Sequence, residues 1–459
     1  MSKACLLSLL FTLLSHPGIA QTETETGSAL PKLEFTDSKL DNGLRVIIAP
    51  DHSAPVCAVS VTYNVGSRNE QPGRTGFAHL FEHMMFEGSE NIGKGEHFIL
   101  VQNNGGDFNG TTNEDRTNYF EALPKNQLDL GLFLEADRMR SLVVNQANLD
   151  NQRNAVQEER RLGIDNAAYG KSELEIDNLA YDNFGYKHST LGEMRDLNAA
   201  TVQDVKDFFR IYYAPDNAVL VIVGDIDTRE AMEKVKHYFG SIPHQPAPAP
   251  VDVSEPQHYG ERREVIIDPL ARLPRVLVAF HIPPGNTPDN YALHVLADIL
   301  ASGEDSRLYR HLVKEKELAS EISMQADARR GPSLLYVQAT PRPGVKIDDL
   351  EAAIYNEIAH VQKQGVTEAE IHKVRRQDLR AQINRRQSDL EVANRIGQYA
   401  VYFDDPNLIN TVYDKYSSVT AEQVMQAAAK YMVQTGRAVV TTLPGIKTSV
   451  STASTGTAN

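Results

Sequence analysis

Two histidines and a glutamate stand close together in the stretch from Gly76 to Phe86. On a helix, His79 and His83 are four residues apart, so their imidazoles lie on one face, one turn from each other. Two neutral imidazoles placed in this way suit a zinc ion. Glu82 can reach the same region without being a ligand. Its position just before the second histidine is the inverted form of a common zinc-protease helix motif.

The residues that flank this motif are large and apolar, which predicts that the helix is mostly buried. They are Phe77, Leu80, Phe81, Met84 and Phe86. Two histidines and a glutamate are costly in such surroundings unless something neutralises them. The alternative is a pair of core histidines that are satisfied by hydrogen bonds. The spacing favours a metal site over that alternative.

A catalytic zinc takes three protein ligands and keeps one open position, so a third ligand must come from elsewhere in the chain. Several glutamates are candidates, and spacing alone does not choose among them. They are Glu87, Glu90, Glu96, Glu158 and Glu159. For the last two, the alternative is an ordinary charged helix face in contact with solvent.

The elements that must position these residues follow from hydrophobic periodicity and from turn signals. A turn at 41–43 separates two strand-like runs, of which the second covers 44–48. The next predicted elements are a strand at 56–63, helices at 75–86, 93–102, 128–142 and 149–162, and strands within 108–120. Strand character resumes at Val265, and a further strand covers 275–282.

A proline-rich stretch divides the chain into halves of similar size and predicts a semi-rigid linker over residues 241–260. The predicted domains are therefore 33–240 and 261–446. An internal repeat at an offset of 219 residues relates the halves, since Thr201 corresponds to Thr420 (420 − 201 = 219). Each threonine can cap a helix that leads into an apolar strand.

Residues 1–20 have the pattern of a secretory signal peptide. They combine a positive start, an apolar stretch too short to span a bilayer, and small residues before Gln21. The alternative is an N-terminal membrane anchor. We expect an exported chain, periplasmic or secreted, without stable membrane insertion. The segment 447–459 is rich in Ser, Thr and Gly, and is predicted to be disordered.

The overall composition is that of a soluble globular protein. The chain has 459 residues, a formal net charge of −15 and 41% hydrophobic residues, and this length suits two or three domains. The acidic balance argues against general nucleic-acid binding, which needs Lys and Arg to neutralise phosphates. Removal of the segment with Cys5 leaves only Cys57, so neither an internal disulfide nor a cysteine-based zinc site is expected.

The sequence resembles the pitrilysin/insulinase family of zinc metallopeptidases, which includes bacterial exported members and the mitochondrial processing peptidases. The resemblance covers nearly the whole mature chain. It rests on the segments 42–44, 76–88, 108–112, 153–161, 212–218, 224–225 and 306–309. It implies an α+β fold of two homologous halves, each a sheet covered by helices, that face each other around a chamber. It also implies a metalloendopeptidase with one Zn²⁺ per chain and an inactive C-terminal half.

The resemblance further implies a role for each residue of the site. Glu159 follows His83 by the family's spacing of 76 residues (159 − 83 = 76) and is implied as the third ligand, beside His79. Glu82 would take a proton from the zinc-bound water and pass it to the leaving amine. An exposed edge strand of the family would bind substrate as an added strand. Here that segment is Phe108, Asn109, Gly110 and Thr111.

Three positions depart from the family pattern. Gln152 stands where family members often carry a glutamate that supports the zinc site. Val313 and Ser320 stand where many members present an arginine and a tyrosine to the substrate. Either this substrate clamp is missing or another subunit supplies it. A homodimer, or a heterodimer with a homologous subunit, is therefore a possible assembly.

The expected substrates are peptides or unfolded protein segments. One alternative is a non-catalytic scaffold or partner subunit of a peptidase complex. The presence of His79, Glu82, His83 and Glu159 argues against that alternative. A second alternative is a binding module that holds zinc only structurally. Such a module would need a fourth ligand, and no such residue is apparent from the sequence.

Overall fold

Two β-sheets packed against helices form the framework of the computed structural model, which describes residues 30–445. The predicted signal peptide (1–20) and the predicted disordered tail (447–459) lie outside the described residues. Among residues 30–445, no helix combines the length and the apolar character that crossing a membrane requires.

The first sheet has six strands within the described part of the chain. They are β1 (Thr36–Lys39), β2 (Arg45–Pro50), β3 (Val56–Tyr63), β4 (Asp107–Thr112), β5 (Thr117–Pro124) and β6 (Ala218–Gly224). Their order across the sheet is β1-β2-β6-β3-β5-β4. β2 and β6 run parallel, and the other neighbouring strands are antiparallel. β6 is buried along its whole length, as expected of a strand that is covered on both faces.

The helices that lie between and after these strands in the sequence carry most of the candidate site. They are α1 (Phe77–Met84), α2 (Glu96–Asn103), α3 (Leu128–Arg140), α4 (Gln146–Arg160), α5 (Gly170–Ala180), α6 (Phe184–Lys187), α7 (Met194–Ala199), α8 (Val202–Tyr212) and α9 (Thr228–Phe239). The helix predicted at 149–162 begins earlier, because the Asn145 side chain accepts the main-chain N–H of Asn148 and caps the first turn. It ends at Arg160, where one π-helical turn follows.

The second sheet has five strands in the described region. They are β7 (Arg262–Asp268), β8 (Arg275–Ile282), β9 (Ala319–Ala326), β10 (Ser333–Pro341) and β11 (Arg437–Pro444), in the order β7-β11-β8-β10-β9. The accompanying helices are α10 (Pro288–Ala301), α11 (Ile347–Gln364), α12 (Glu368–Arg385), α13 (Asp389–Phe403), α14 (Leu408–Ser417) and α15 (Ala421–Tyr431). The predicted α+β fold class is confirmed.

The second sheet repeats the order and directions of the first, which confirms the predicted internal repeat. The strands β2-β6-β3-β5-β4 correspond to β7-β11-β8-β10-β9, and each series begins with one parallel pair. β3 and β8 have eight residues each and start 219 residues apart (275 − 56 = 219). Both predicted capping boxes are present, with Thr201 paired to Asp204 and Thr420 paired to Gln423.

One helix from the C-terminal half covers a face of the first sheet. Val392 and Ile396 of α13 pack in one buried cluster with Ile47 of β2 and Val221 of β6. Each fully buried side chain of this size contributes about 1.5–3 kcal/mol relative to exposure. The first sheet therefore depends on residues that lie beyond the linker in the sequence.

The N-terminal half supplies a helix to the second sheet in return. Ile176 and Ala180 of α5 pack with Ala279 of β8 and Val440 of β11 in another buried cluster. α5 and α13 start 219 residues apart (389 − 170 = 219), so the exchange involves equivalent helices of the repeat. The predicted domain limits, 33–240 and 261–446, stay a prediction.

The proline-rich segment between the halves forms neither helix nor strand from residue 243 to residue 261. It is nevertheless held in place. The Glu255 carboxylate accepts the main-chain N–H groups of Asp182 and Asn183 at 2.7 and 3.0 Å. The segment therefore packs along the molecule where it passes α5 and α6.

Candidate metal centre

The start of α1 is held by a buried carboxylate. Gly76 lies at the N-cap with φ of 83°, a left-handed conformation that favours glycine. Glu70 accepts the main-chain N–H groups of Gly76 and Ala78 at 2.8 and 2.7 Å, and His188 Nε2 lies 2.8 Å from the same carboxylate. Burial raises the pKa of Glu70, against the effect of these contacts. A carboxylate at this end also complements the helix dipole.

The apolar face of α1 fixes how the helix is rotated. Phe81 packs on Phe208 and Tyr213, with ring centroids 5.6 and 4.1 Å away. Leu80 and Met84 are also buried. This packing leaves the two histidines and Glu82 to face α4 and β4.

The structure brings His79, His83 and Glu159 together, although the two elements that carry them are far apart in sequence. The Nε2 atoms of His79 and His83 lie 3.7 and 3.5 Å from Glu159 Oε2. These distances are too long for good hydrogen bonds. They are close to the ~3.3 Å that separates two ligands of a tetrahedral zinc with bonds of about 2.0–2.1 Å.

The orientation of the two imidazole rings also suits a shared ion. The ring centroids of His79 and His83 are 4.8 Å apart, and the planes are inclined at 80°. Because nitrogen lone pairs lie in the ring plane, inclined planes allow both to point at one position. The donor set of two imidazoles and one carboxylate is one that catalytic zinc sites use. The residues therefore fit a zinc ion.

The other glutamates considered from the sequence have other contacts. Glu158 is exposed, and its Oε2 lies 3.0 Å from Arg161 Nη1. Glu96 Oε2 accepts the N–H of Gly93 at 2.7 Å, at the start of α2. Glu87 Oε1 accepts from Gln152. Of the five candidate glutamates, Glu90 included, only Glu159 lies in one cluster with both histidines.

Burial prepares His79 for metal binding. Burial and the neighbouring His83 lower the pKa of His79 to about 4, so its imidazole is neutral at pH 7 and keeps a lone pair. His79 Nδ1 is buried and has no hydrogen-bond partner within residues 30–445. His83 Nδ1 lies 3.2 Å from Gln152 Oε1, at the position that departs from the family pattern.

Glu82 lies against β4 rather than against Glu159. The Thr112 hydroxyl donates a hydrogen bond to its carboxylate. A Cβ atom at Gly110 would lie 3.0 Å from Glu82 Cγ, so the glycine leaves the room that the glutamate occupies. Burial raises the pKa of Glu82, while the Thr112 hydrogen bond opposes this shift. A raised pKa makes the carboxylate a stronger base.

The segment expected to bind substrate forms β4, which ends the first sheet. β4 pairs with β5 on one side, and no other strand of the described chain pairs with it. Phe108 is half-buried against Phe86, Asn109 is exposed, and Gly110 is buried beside Glu82. The Thr111 hydroxyl donates to Asn118 Oδ1 at 2.5 Å. An open strand edge thus passes the side chain of the candidate base.

Two further clusters of histidine and carboxylate side chains are less suited to a metal. In the cluster of His97, Glu121 and Glu135, the Arg138 guanidinium already supplies the positive charge that a metal ion would bring. Its Nε lies 2.9 Å from Glu135 Oε2, and its Nη2 lies 3.5 Å from Glu121 Oε1.

In the second cluster, which contains Glu255, the rings of His258 and His281 are stacked at 29° with centroids 4.6 Å apart. Their in-plane lone pairs cannot meet at one ion without reorientation. Of the three clusters in residues 30–445, the one on α1 and α4 therefore has the geometry of a metal centre.

The two positions that depart from the family's substrate clamp hold no charged group. Val313 is buried in the core of the second half, and its carbonyl accepts from Arg342 Nη2 at 3.0 Å. The Ser320 hydroxyl donates to the Thr340 carbonyl at 3.1 Å. Helix α10, which occupies the place of α1 in the repeat, carries His294 without a second histidine.

Sequence reasoning missed the roles of three residues that shape the site. Thr112 binds Glu82, Glu70 caps α1, and Glu87 binds Gln152. A polar residue that pairs across the fold leaves no periodic signal in the sequence. Thr112 ends the segment 108–112 on which the family resemblance rests, and Glu87 was considered only as a possible metal ligand.

Comparison with known proteins identifies the family. Two family models match the chain: "Insulinase (Peptidase family M16)" over residues 45–189, and "Peptidase M16 inactive domain" over residues 199–377. The zinc protease PqqE of Helicobacter pylori is 31% identical over 413 residues, which cover 89% of this chain and 92% of that protein.

Two further comparisons extend this result. A probable mitochondrial-processing peptidase subunit beta of Arabidopsis thaliana is 23% identical over 86% of this chain and 75% of its own length. A crystal structure of a Helicobacter pylori protease superposes with a TM-score of 0.86, at 29% identity, over 90% of this chain and all of that one. The chain belongs to the insulinase family of peptidases, M16.

Proposed function

We propose that the chain is an active zinc-dependent endopeptidase that cuts peptides or unfolded protein segments. One observation carries the proposal. The Glu82 carboxylate lies between the open edge strand and the cluster of His79, His83 and Glu159, on the helix that carries both histidines. A candidate base, a candidate metal cluster and a surface for a peptide thus meet at one place.

His79, His83 and Glu159 are the residues that would hold the metal. A zinc ion there would supply Lewis-acid chemistry, polarising the scissile carbonyl and lowering the pKa of water. Glu82 takes a proton from the attacking water and passes it to the leaving amine. Thr112 orients the carboxylate through its hydroxyl, and the buried surroundings of Glu82 strengthen it as a base.

The substrate is proposed to bind as an added strand on β4. Main-chain hydrogen bonds along Phe108, Asn109, Gly110 and Thr111 would hold an extended peptide with little regard to its sequence. A folded protein would offer no free strand to this edge. This is why peptides and unfolded segments are the proposed substrates.

The test is cleavage of an unstructured peptide by the purified chain. We expect internal cuts, identified by mass spectrometry of the products, that a chelator stops and added zinc restores. Cleavage that continues at full rate in a metal-free sample would contradict the proposal. Zinc binding without cleavage, in a chain that activates a homologous peptidase subunit, would favour the alternative of a non-catalytic partner.

Export to the periplasm is a further part of the proposal, and it rests on the pattern of residues 1–20. Mass spectrometry of the mature protein from its native cells should give an N-terminus at Gln21. Recovery of the intact leader on a protein that stays in the cytosolic fraction would contradict export.

A further inference from the structure

Gln152 bridges a metal-facing histidine and a buried carboxylate. Its Oε1 lies 3.2 Å from His83 Nδ1, and its Nε2 lies 2.5 Å from Glu87 Oε1. The same Nε2 also donates to Asn151 Oδ1 at 2.9 Å. Both hydrogens of the amide nitrogen therefore have acceptors, and the amide oxygen is left for the histidine.

The direction of the hydrogen bonds that link Glu87, Gln152 and His83 sets the tautomer of His83. The Glu87 carboxylate can only accept, so the Gln152 amide must turn its NH₂ group toward it. The amide oxygen then faces His83, and an oxygen of this kind can only accept as well. His83 must therefore carry its proton on Nδ1. Its Nε2 keeps the lone pair, on the atom that lies 3.5 Å from Glu159 Oε2.

Burial and neighbouring contacts hold Glu87 firmly in place, so its carboxylate can fix the orientation of the Gln152 amide. The residue is 6% exposed. Lys94 Nζ lies 2.6 Å from its Oε2, a contact that is an ion pair rather than an aligned hydrogen bond. Its main-chain carbonyl accepts from Asn148 Nδ2 at 3.2 Å, which ties it to α4.

We infer that Glu87 acts through Gln152 to hold His83 in the tautomer that binds a metal, which makes both of them positioning residues. The inference rests on the proposed metal centre. Gln152 has no charge, but it passes the acceptor character of Glu87 to the histidine. The carboxylate that relatives often carry at position 152 is thus replaced, one residue further out, by Glu87. Hydrogen bonds to the far nitrogen of a metal-binding histidine commonly change metal affinity by 10–100-fold.

The experiment measures zinc affinity by chelator competition in a Glu82→Gln background, in which peptide cleavage is not needed as a readout. We expect Gln152→Leu and Glu87→Gln each to weaken zinc binding by about 10–100-fold. In Glu87→Gln the Gln152 amide is free to turn over, which offers His83 a donor instead of an acceptor. Adding Gln152→Glu to Glu87→Gln restores an acceptor beside His83 and should recover most of the loss.

A second readout reports the tautomer directly. Nitrogen-15 NMR of the metal-free chain should show the His83 proton on Nδ1 in the parent, and a shift toward the Nε2 tautomer in Glu87→Gln. Glu158→Gln, an exposed change on the same helix, is the matched control and should leave affinity and tautomer unchanged. Circular dichroism of each variant separates these effects from loss of folding.

Unchanged zinc affinity in Gln152→Leu would overturn the inference. So would a double variant no better than Glu87→Gln alone, or a His83 tautomer that does not respond. None of these outcomes depends on peptidase activity. A protein in which Glu87 and Gln152 support zinc binding by His83, but which cleaves no peptide, would contradict the proposed function and leave the inference standing.

Discussion

The hydroxyl of Thr112 donates a hydrogen bond to the carboxylate of Glu82, and so joins the edge strand β4 to the helix with both candidate metal-binding histidines. A strand that shifts on binding a peptide would therefore move the candidate base directly.

Replacing Glu82 by Gln should abolish peptide cleavage while zinc stays bound. The change removes the proposed general base, which should cost at least ~10²-fold in rate. It leaves His79, His83 and Glu159 in place. The measurements are cleavage rate and zinc content by elemental analysis. A zinc-replete Glu82→Gln protein with undiminished activity would refute the assigned role.

Glu159→Gln should lose much of its zinc affinity, whereas Glu158→Gln should keep it. Glu159 Oε2 faces both histidines, but Glu158 pairs with Arg161 at the surface. The two glutamates are adjacent, so comparing the two variants tests which of two consecutive residues of α4 faces the histidines. Equal zinc content in the two proteins would show that the register is wrong.

Gly110→Val should lower activity by about 10²-fold without loss of zinc, because displacement of a catalytic group by about 1 Å can cost that much. A Cβ at Gly110 already approaches Glu82 Cγ to 3.0 Å, and a branched side chain adds to the crowding. Asp107→Asn, at an exposed position of the same strand and outside the proposed substrate-binding residues, is the control. The prediction fails if both variants cleave at the same rate.

Acid should weaken one ion pair in the C-terminal half. Burial alone would raise the pKa of Glu370, but hydrogen bonds from Arg307 and Thr367 lower it to about 2, below the unfolded value of 4.5. The stability that the charged group contributes is therefore present above pH 4.5, and is lost as the pH falls through 2.

Urea unfolding of the parent and of Glu370→Gln tests this sign. We expect the parent to be more stable at pH 7, with the difference shrinking steadily between pH 4.5 and pH 2. Glu368→Gln, at an exposed position of the same helix turn, should show no such trend. A difference that grows toward low pH would contradict the assignment to the Arg307 pair.

Full activity should require a second subunit, either a copy of this chain or a homologue with the missing arginine and tyrosine. The side chains of Val313 and Ser320 offer no charged group to a substrate. A partner would position the peptide, a contribution that can be large even when the chemical groups are intact. The measurement is light scattering together with cleavage over a dilution series. A monomer with constant specific activity would exclude this requirement.

The sequence was sufficient for elements and residues whose signals are local. β3 and β8 match the predicted strands at 56–63 and 275–282 residue for residue, because apolar runs bounded by turn residues define both ends. The His79, Glu82 and His83 group followed from helical spacing alone. Glu159 needed the family resemblance, because two adjacent glutamates differ only in direction.

Contacts between residues that are distant in sequence could not be predicted from local sequence patterns. Thr112 and Glu87 are ordinary polar residues until packing brings them to Glu82 and Gln152. The exchange of α5 and α13 could not be foreseen for a similar reason. An amphipathic helix shows in its sequence that one face is buried, but not which sheet will bury it.

The exchange of α5 and α13 between the halves affects folding during synthesis and the behaviour of fragments. A fragment ending at residue 240 would lack α13, which leaves Ile47 and Val221 uncovered on the first sheet. A fragment starting at residue 261 would lack α5 and expose Ala279 and Val440. Nascent chains should therefore need protection from aggregation until α13 has been synthesised. Cleavage of the linker in the folded protein by a protease should release no fragments, because each half stays packed against a helix of the other.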